Sequence, residues 1–355
     1  MFETLGFETL GPREVSVFFG LAVGALFGAL AEATRFCLRR GLVGEATERR
    51  SALGVWLMAL AVAVVATQSA VNAGWIGFGE HRFMAGDLPV LAIIAGGLIF
   101  GAGMVLTRGC ASRLTVLAGT GNLRALTVLA VFAIAAHATL KGVLAPLRTA
   151  LGSYTVALGD TVSLAALPGG ALLSTAIIAA AALAYALRSG NRPTVLLGAA
   201  LIGALVPAAW IGTGFVLYDE FDPITLESLS FTSPAAETLF WTVASSSIPA
   251  GFGTGLIGGV IAGAAVLSLI AGRFRWHSFT SPRETGRYLA GAVLMGIGGV
   301  LAGGCTVGAG LAGIPTLSVA AILALLAIVA GARITDRALS ASPSGSAGSI
   351  ATPAE

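Results

Sequence analysis

Charge is what this chain has least of. Asp, Glu, Lys and Arg together make up 10% of its 355 residues, against roughly 25% in a soluble domain. Hydrophobic residues reach 56% and the mean hydropathy is +0.91, which excludes a soluble globular enzyme. Lysine is nearly missing: of the 20 basic residues only Lys141 is not arginine. The arginines scatter between apolar runs and form no patch for nucleic acid. Three cysteines are too few for a disulfide framework, and no CxxC or Cys/His spacing offers a metal site. There is no Gly-x-x-x-x-Gly-Lys-[Ser/Thr] segment, so this chain does not itself drive a process with ATP. Aromatics are 7%, and the apolar runs lack the alternation of a transmembrane β-barrel. Neither a metal nor a cofactor is expected.

What is present is a series of apolar runs long enough to cross a ~30 Å hydrocarbon core. Nine occur, near 15–33, 51–74, 89–106, 124–145, 166–187, 194–217, 249–271, 288–304 and 316–333. The fold class expected is an all-α polytopic membrane protein, with one transmembrane domain over 1–337 and a disordered tail over 338–355. The start, MFETLGFETLGPRE, is acidic and has no basic leader, so the first run reads as an uncleaved helix. Between runs six and seven, residues 218–248 are expected to carry a short surface helix near 234–245, with Ser233 as its N-cap and Pro234 at its first position.

Basic residues divide the connecting segments. Sixteen of the 20 fall in alternate segments, from Arg35, Arg39, Arg40, Arg49 and Arg50 through to Arg333 and Arg337. The other set holds Arg13, Arg82, Arg148 and Lys141, and most of the acids, among them Asp219, Glu220, Asp222, Glu227 and Glu237. The positive-inside rule then places the N-terminus outside and the C-terminus in the cytoplasm. The arginine bias and heavy Ala and Gly usage fit a bacterial genome rich in G and C.

An internal repeat is visible. GGLIFGAGMVLTRGC (96–110) aligned on GAVLMGIGGVLAGGC (291–305) matches at Gly96, Gly101, Gly103, Val105, Leu106, Gly109 and Cys110. A weaker match sets the ladder Gly20, Gly24, Gly28 on Gly251, Gly255, Gly259, Gly263. The Gly-Cys copies are the third and eighth runs, which would point in opposite directions. That is the pattern of inverted-topology repeats, here about 15–145 and 194–335. Ordinary Gly-x-x-x-Gly packing explains the glycines alone equally well.

The cysteine contexts are ATRFCLRRGL around Cys37, LTRGCASRLT around Cys110 and LAGGCTVGAGL around Cys305. A lone membrane cysteine is ordinarily a small packing residue. Here the whole complement lies at ends of runs beside Gly or Arg, and two are repeat equivalents. GMVLTRGCASR and GGVLAGGCTVGAG, with the upstream Arg-Phe-Cys-Leu-Arg, resemble the YeeE/YedE family of bacterial membrane proteins, the sulphur-transport domain, over roughly residues 15–335. The resemblance implies a thiosulfate importer of the bacterial inner membrane, shaped like an hourglass, whose paired Gly-Cys loops dip toward the membrane centre. It implies a substrate path along Cys37, Cys110 and Cys305, with Gly109, Gly304 and Gly308 as loop glycines. It also implies a soluble TusA-like sulphur carrier as partner. Some relatives are linked instead to selenium or other sulphur species.

Thiol chemistry suits such a ligand. Thiosulfate is a dianion with a soft terminal sulfur, and a buried thiol keeps its proton and can donate weakly to it. Weak binding at several stations permits exit as well as loading. Arg108, Arg113 and Arg35 then read as an anion-attracting collar, although the positive-inside rule alone also places arginines there. Asn122 with Gly119 and Gly121 is expected to open the helix after Cys110, and another helix is expected after Pro315, both offering N–H groups to an anion.

His137 and Lys141 share a helix face. They are functional candidates as intramembrane ionisable groups. The plainer expectation is that Lys141 snorkels and His137 meets a carbonyl. Glu32 is expected to pair with Arg35 or Arg39. Moving one charge against ~100 mV costs ~2.3 kcal/mol, and a dianion about twice that, so uptake needs an ion, rapid consumption or a steep gradient, with His137 as the proton-linked candidate. A non-enzymatic permease is the function expected. The competing functions are a membrane thiol relay, which needs cysteines within exchange distance, and a scaffold subunit.

Overall fold

The computed structural model describes residues 10–159 and 161–341. Among them are nine helical stretches long and apolar enough to cross a membrane, matching the nine runs. The first combines α1 (Pro12–Thr34) with a short α2 (Leu38–Leu42); α3 (Ala46–Asn72) returns. α4 (Val90–Leu106) leads into α5 (Ala111–Gly119), and α6 (Leu123–Leu140) follows. A short α7 (Ala145–Gly152) precedes α8 (Gly170–Leu187) and α9 (Pro193–Ile211). α10 (Ser233–Ala244) is the expected surface helix. Its N-cap is Thr232, one residue before the expected Ser233, so Ser233 and Pro234 are the first two helical positions. α11 (Phe252–Ile270), α12 (Pro282–Leu301) and α13 (Val319–Ala341) complete the chain. α13 continues through 338–341, so that part of the expected tail is helical; residues 342–355, and the first nine, lie outside the described residues.

Glycine determines how these helices meet. α1 and α11 run parallel, with Gly20 against Phe252, Gly24 against Leu256 and Gly28 against Val260. In return, Gly255, Gly259 and Gly263 meet Val17, Leu21 and Ala25. A side chain at any of these six would overlap backbone of the facing helix, the close approach that small residues permit in lipid. The two glycine ladders that align weakly in sequence are therefore packing partners. Being parallel, they do not form a second pair of oppositely directed copies. α4 and α12 cross antiparallel, Gly103 facing Gly291 and Gly96 facing Gly298.

At the end where α1 starts, the loops 73–89, 141–169 and 217–251 gather by alternation of the spans. There Asp87–Leu88 pairs with Val156–Ala157 in a short antiparallel ladder. At the opposite end, Arg275 and His277 donate to the Thr120 and Gly121 carbonyls. The first tie joins the segment before α4 to the one after α7, and the second joins the turns that follow α5 and α11.

Candidate functional site

The three cysteines occupy one local frame, built three times. In each a long helix ends, α1 at Thr34, α4 at Leu106 and α12 at Leu301. The residue two before the cysteine then takes positive φ: Arg35 at 52°, Arg108 at 56° and Gly303 at 75°. The cysteine is extended and caps the next helical segment, which is α2, α5 or the π-helical turn Thr306–Leu311. Left-handed backbone disfavours residues with a Cβ. Among the described residues the non-glycine positive-φ positions are Arg35 and Arg108, both in these connections, and Leu317, which ends the 3-10 turn before α13. Strain is thus concentrated around the cysteines, as at sites where function over-determines the backbone.

The frames converge. All three cysteines are free and buried, none more than 2% exposed. The Cys110 side chain is within hydrogen-bonding reach of both Cys37 and Thr306, the residue after Cys305. Its sulfur also lies 3.2 Å from Ser112 Oγ. The Gly308 N–H donates to Cys305 Sγ at 3.4 Å. The thiols therefore sit in a small polar nest of hydroxyls and backbone amides inside an apolar core.

The loop glycines are explained by crowding. A Cβ on Gly304 would lie 2.8 Å from the Ala309 nitrogen, and one on Gly308 2.7 Å from Ser230 Oγ. Gly109 is looser, its Cβ position 3.3 Å from Leu114. Asn122 does cap a helix, its Oδ1 accepting from the Ala125 N–H, but that helix is α6. The segment directly after Cys110 is α5, capped by Cys110 itself. After Pro315, which lies in a 3-10 turn, α13 starts at Val319.

The collar arginines separate. Arg35 and Arg108 are exposed. Arg113 instead pairs with Glu32 at 3.3 Å, and Glu32 also meets Arg273 at 3.6 Å. Glu32 thus pairs with neither Arg35 nor Arg39. Arg39 is half-buried, and its Nε has no hydrogen-bond partner among the described residues. His137 stacks on Phe240 at 3.6 Å between ring centres rather than meeting a carbonyl, and Lys141 is exposed just past the end of α6.

A cavity of about 500 Å³ opens above the Cys305 turn, at the end where α1 begins. Gly308 and Ala312 line it together with Glu80, His81, Arg82, Trp210, Glu227, Ser230 and Glu237. The 81–84 turn is tied to the start of α13 by Ser318 Oγ donating to the Phe83 carbonyl at 2.7 Å. Burial and the Arg82 charge push the His81 imidazole down to about 4, so it is neutral at physiological pH. Burial and Glu237 push the Glu227 carboxyl up to about 7, against the opposing pull of Arg82. No sequence motif marks Arg82, His81 or Glu227 as a group, because they come from loops about 145 positions apart and meet only through the fold.

Comparison with known proteins gives two kinds of likeness. A family model described as sulphur transport matches residues 33–334. A Spirochaeta thermophila protein named Thiosulfate transporter TsuA is 27% identical over 343 residues, spanning 88% of this chain and 96% of its own length. An Escherichia coli protein of the same name is 26% identical over 318 residues, spanning 82% and 86% respectively.

Proposed function

Because this chain belongs to the sulphur transport family, we propose that it is a permease, not an enzyme, that imports thiosulfate or a closely related sulphur anion across the bacterial inner membrane. The path runs along Cys305, Cys110 and Cys37. The observation that carries this reading is that Cys37 and Cys110 meet in one buried nest with Thr306, the residue after the equally buried Cys305. A soft terminal sulfur can be passed there between weak thiol donors. The names of the two relatives support the substrate. Arg35 and Arg108, exposed beside their cysteines, draw the anion onward by charge; the charge of Arg113 is already met by Glu32. The N-terminus lies outside and the C-terminus inside, a reading supported by the distribution of arginine. A soluble TusA-like carrier is the partner that receives the sulphur within.

Two inverted repeats build the domain. Support comes from the α4–α12 crossing: the contact of Gly96 with Gly298 becomes that of Gly291 with Gly103 when the aligned copies are exchanged. That reciprocity is what a two-fold axis lying in the membrane produces.

The test is uptake of labelled thiosulfate in a strain lacking its own sulphate and thiosulfate importers. The wild-type chain restores uptake. Cys110→Ala and Cys305→Ala reach the membrane and take up thiosulfate near background; Cys305→Ser keeps a donor of similar size but loses the soft sulfur. Normal uptake by the Cys110→Ala, Cys305→Ala double variant refutes the thiol path. The proximity of Cys37 to Cys110 favours the thiol relay as the second reading. The two differ in redox state: a permease keeps both thiols alkylatable throughout uptake, and a relay passes through a Cys37–Cys110 disulfide.

A further inference from the structure

The guanidinium of Arg82 lines the cavity above Cys305. Among the described residues Arg82 makes no hydrogen bond and no ion pair within 4 Å; its Cζ rests 5.1 Å from the Phe83 ring centre. It remains accessible from the cavity it lines. A second unsatisfied donor stands in the same wall: Trp210 is 3% exposed, and its indole Nε1 has no partner among the described residues. Buried donors are almost always paired. Arg82 is thus the accessible donor of this wall, and the Trp210 N–H is a buried donor behind it.

The carboxylates around that cavity oppose an anion. Glu227 and Glu237 both face Arg82, and Glu80 lines the same wall. Glu80 and Glu237 are exposed, where water screens them. Glu227 is half-buried, and its backbone is pinned: Thr213 Oγ1 lies 3.0 Å from the Glu227 nitrogen and 2.7 Å from its carbonyl oxygen. Its Cα is therefore held at the cavity wall.

We propose that Arg82 is the residue that first receives the sulphur anion, and that Glu227 beside it must carry a proton for that anion to seat. This deepens the permease reading above and rests on it for the identity of the anion. The charged and titratable groups facing Glu227 are Arg82 and Glu237, with Glu80 and His81 lining the same cavity and Cys305 near enough to Arg82 to act on its charge. His81 is neutral above about pH 5, since its imidazole is held down to about 4. Glu227, raised to about 7, therefore carries the titration near neutral pH. Protonated, it withdraws one negative charge and offers an O–H. By linkage, the seated anion in turn holds that proton more tightly. A dianion and a proton thus load together, with one charge fewer to move against the membrane potential. His137, the proton-linked candidate in the sequence, is not part of this cavity wall.

The experiment is calorimetric titration of thiosulfate into the purified full-length protein at pH 6 and pH 8, beside uptake by cells at the same pH values. The protonated fraction of a group titrating near 7 falls about tenfold over that interval. The wild type should therefore bind about tenfold more weakly at pH 8. Glu227→Gln should bind equally at both. Arg82→Gln should lose at least tenfold at both, and Arg82→Lys should recover part of it, which separates a lost charge from a misfolded chain. Wild-type affinity that is the same at both pH values, undiminished binding by Arg82→Gln, or no thiosulfate binding by the wild type each overturns the proposal. Uptake indifferent to both substitutions overturns this site and leaves the permease standing. Binding that follows the pattern without any uptake overturns the permease and leaves the site standing.

Discussion

Gly258 and Gly259 are consecutive residues of α11 with opposite surroundings, which makes them a matched pair for testing how the helices are held. Gly258 is exposed, and a Cβ there would meet nothing within 4 Å. A Cβ on Gly259 would overlap the Leu21 carbonyl oxygen and lie 2.8 Å from the Ala25 nitrogen, well inside the ~3.5–4.0 Å of a comfortable carbon contact. Alanine gains up to about 1 kcal/mol of helix propensity at either position. Taking the difference between the two variants cancels that gain and leaves the packing term. Overpacking costs about 1–3 kcal/mol, and the upper part of that range applies because the obstacle is backbone, which has no rotamer to escape into. Gly258→Ala should match or exceed the wild type in stability, and Gly259→Ala should fall below Gly258→Ala by about 2–3 kcal/mol. The assay is denaturation of the detergent-purified protein by increasing dodecyl sulfate, followed by circular dichroism. Equal stability of the two variants would refute direct backbone contact between α1 and α11.

Three further outcomes follow from the same physical account. Glu32→Gln leaves Arg113 without its partner in a site where the two side chains are 13% and 11% exposed; the same denaturation assay should show a loss of about 1–3 kcal/mol, and no loss would mean that the pair contributes nothing. The Glu227 carboxyl is raised from 4.5 to about 7, so between those values the folded chain holds a proton the unfolded chain has released. Stability contributed there declines as pH rises from about 4.5 and is fully lost above about 7. Glu227→Gln should thus melt with the wild type at pH 4.5 but above it at pH 8.5, and a gap independent of pH would contradict the assignment. For topology, a reporter active only in the cytoplasm should be on when fused after Ala341 and off when inserted near residue 225; a silent C-terminal fusion would reverse the orientation.

How much of this was legible in the sequence differs by physical scale. The nine helices follow from run length and hydropathy, which need no partner. The helix at 233–244 follows from Ser233-Pro234, although the cap shifts to Thr232 because proline is tolerated equally well at the second helical position. The glycine ladders of α1 and α11 align because both must admit a backbone, and alignment does not distinguish a repeat copy from a packing partner. The Cys37 frame was the least visible. It lacks the preceding glycine of Cys110 and Cys305, yet Arg35 adopts the left-handed conformation that Arg108 also adopts. Residue identity concealed a backbone equivalence. Arg82 and Glu227 were illegible for another reason: a cavity assembled from distant loops leaves no periodicity and no spacing.

The reciprocal glycine contact between α1 and α11 has a consequence for what binds helices in lipid. The position a Cβ would take on Gly20, Gly24 and Gly28 is that of a Cα hydrogen, and in each case it faces a carbonyl oxygen, of Phe252, Leu256 and Val260. From the other side, Gly255, Gly259 and Gly263 aim the same bond at the carbonyls of Val17, Leu21 and Ala25. Carbon-donor hydrogen bonds of this kind contribute about 0.5–1 kcal/mol each. The pair is laced by polar attraction running in both directions, with no polar side chain in the seam. Hydropathy counts the facing stretches of α1 and α11 as oil-soluble, while their adhesion comes from the backbone that the missing side chains uncover.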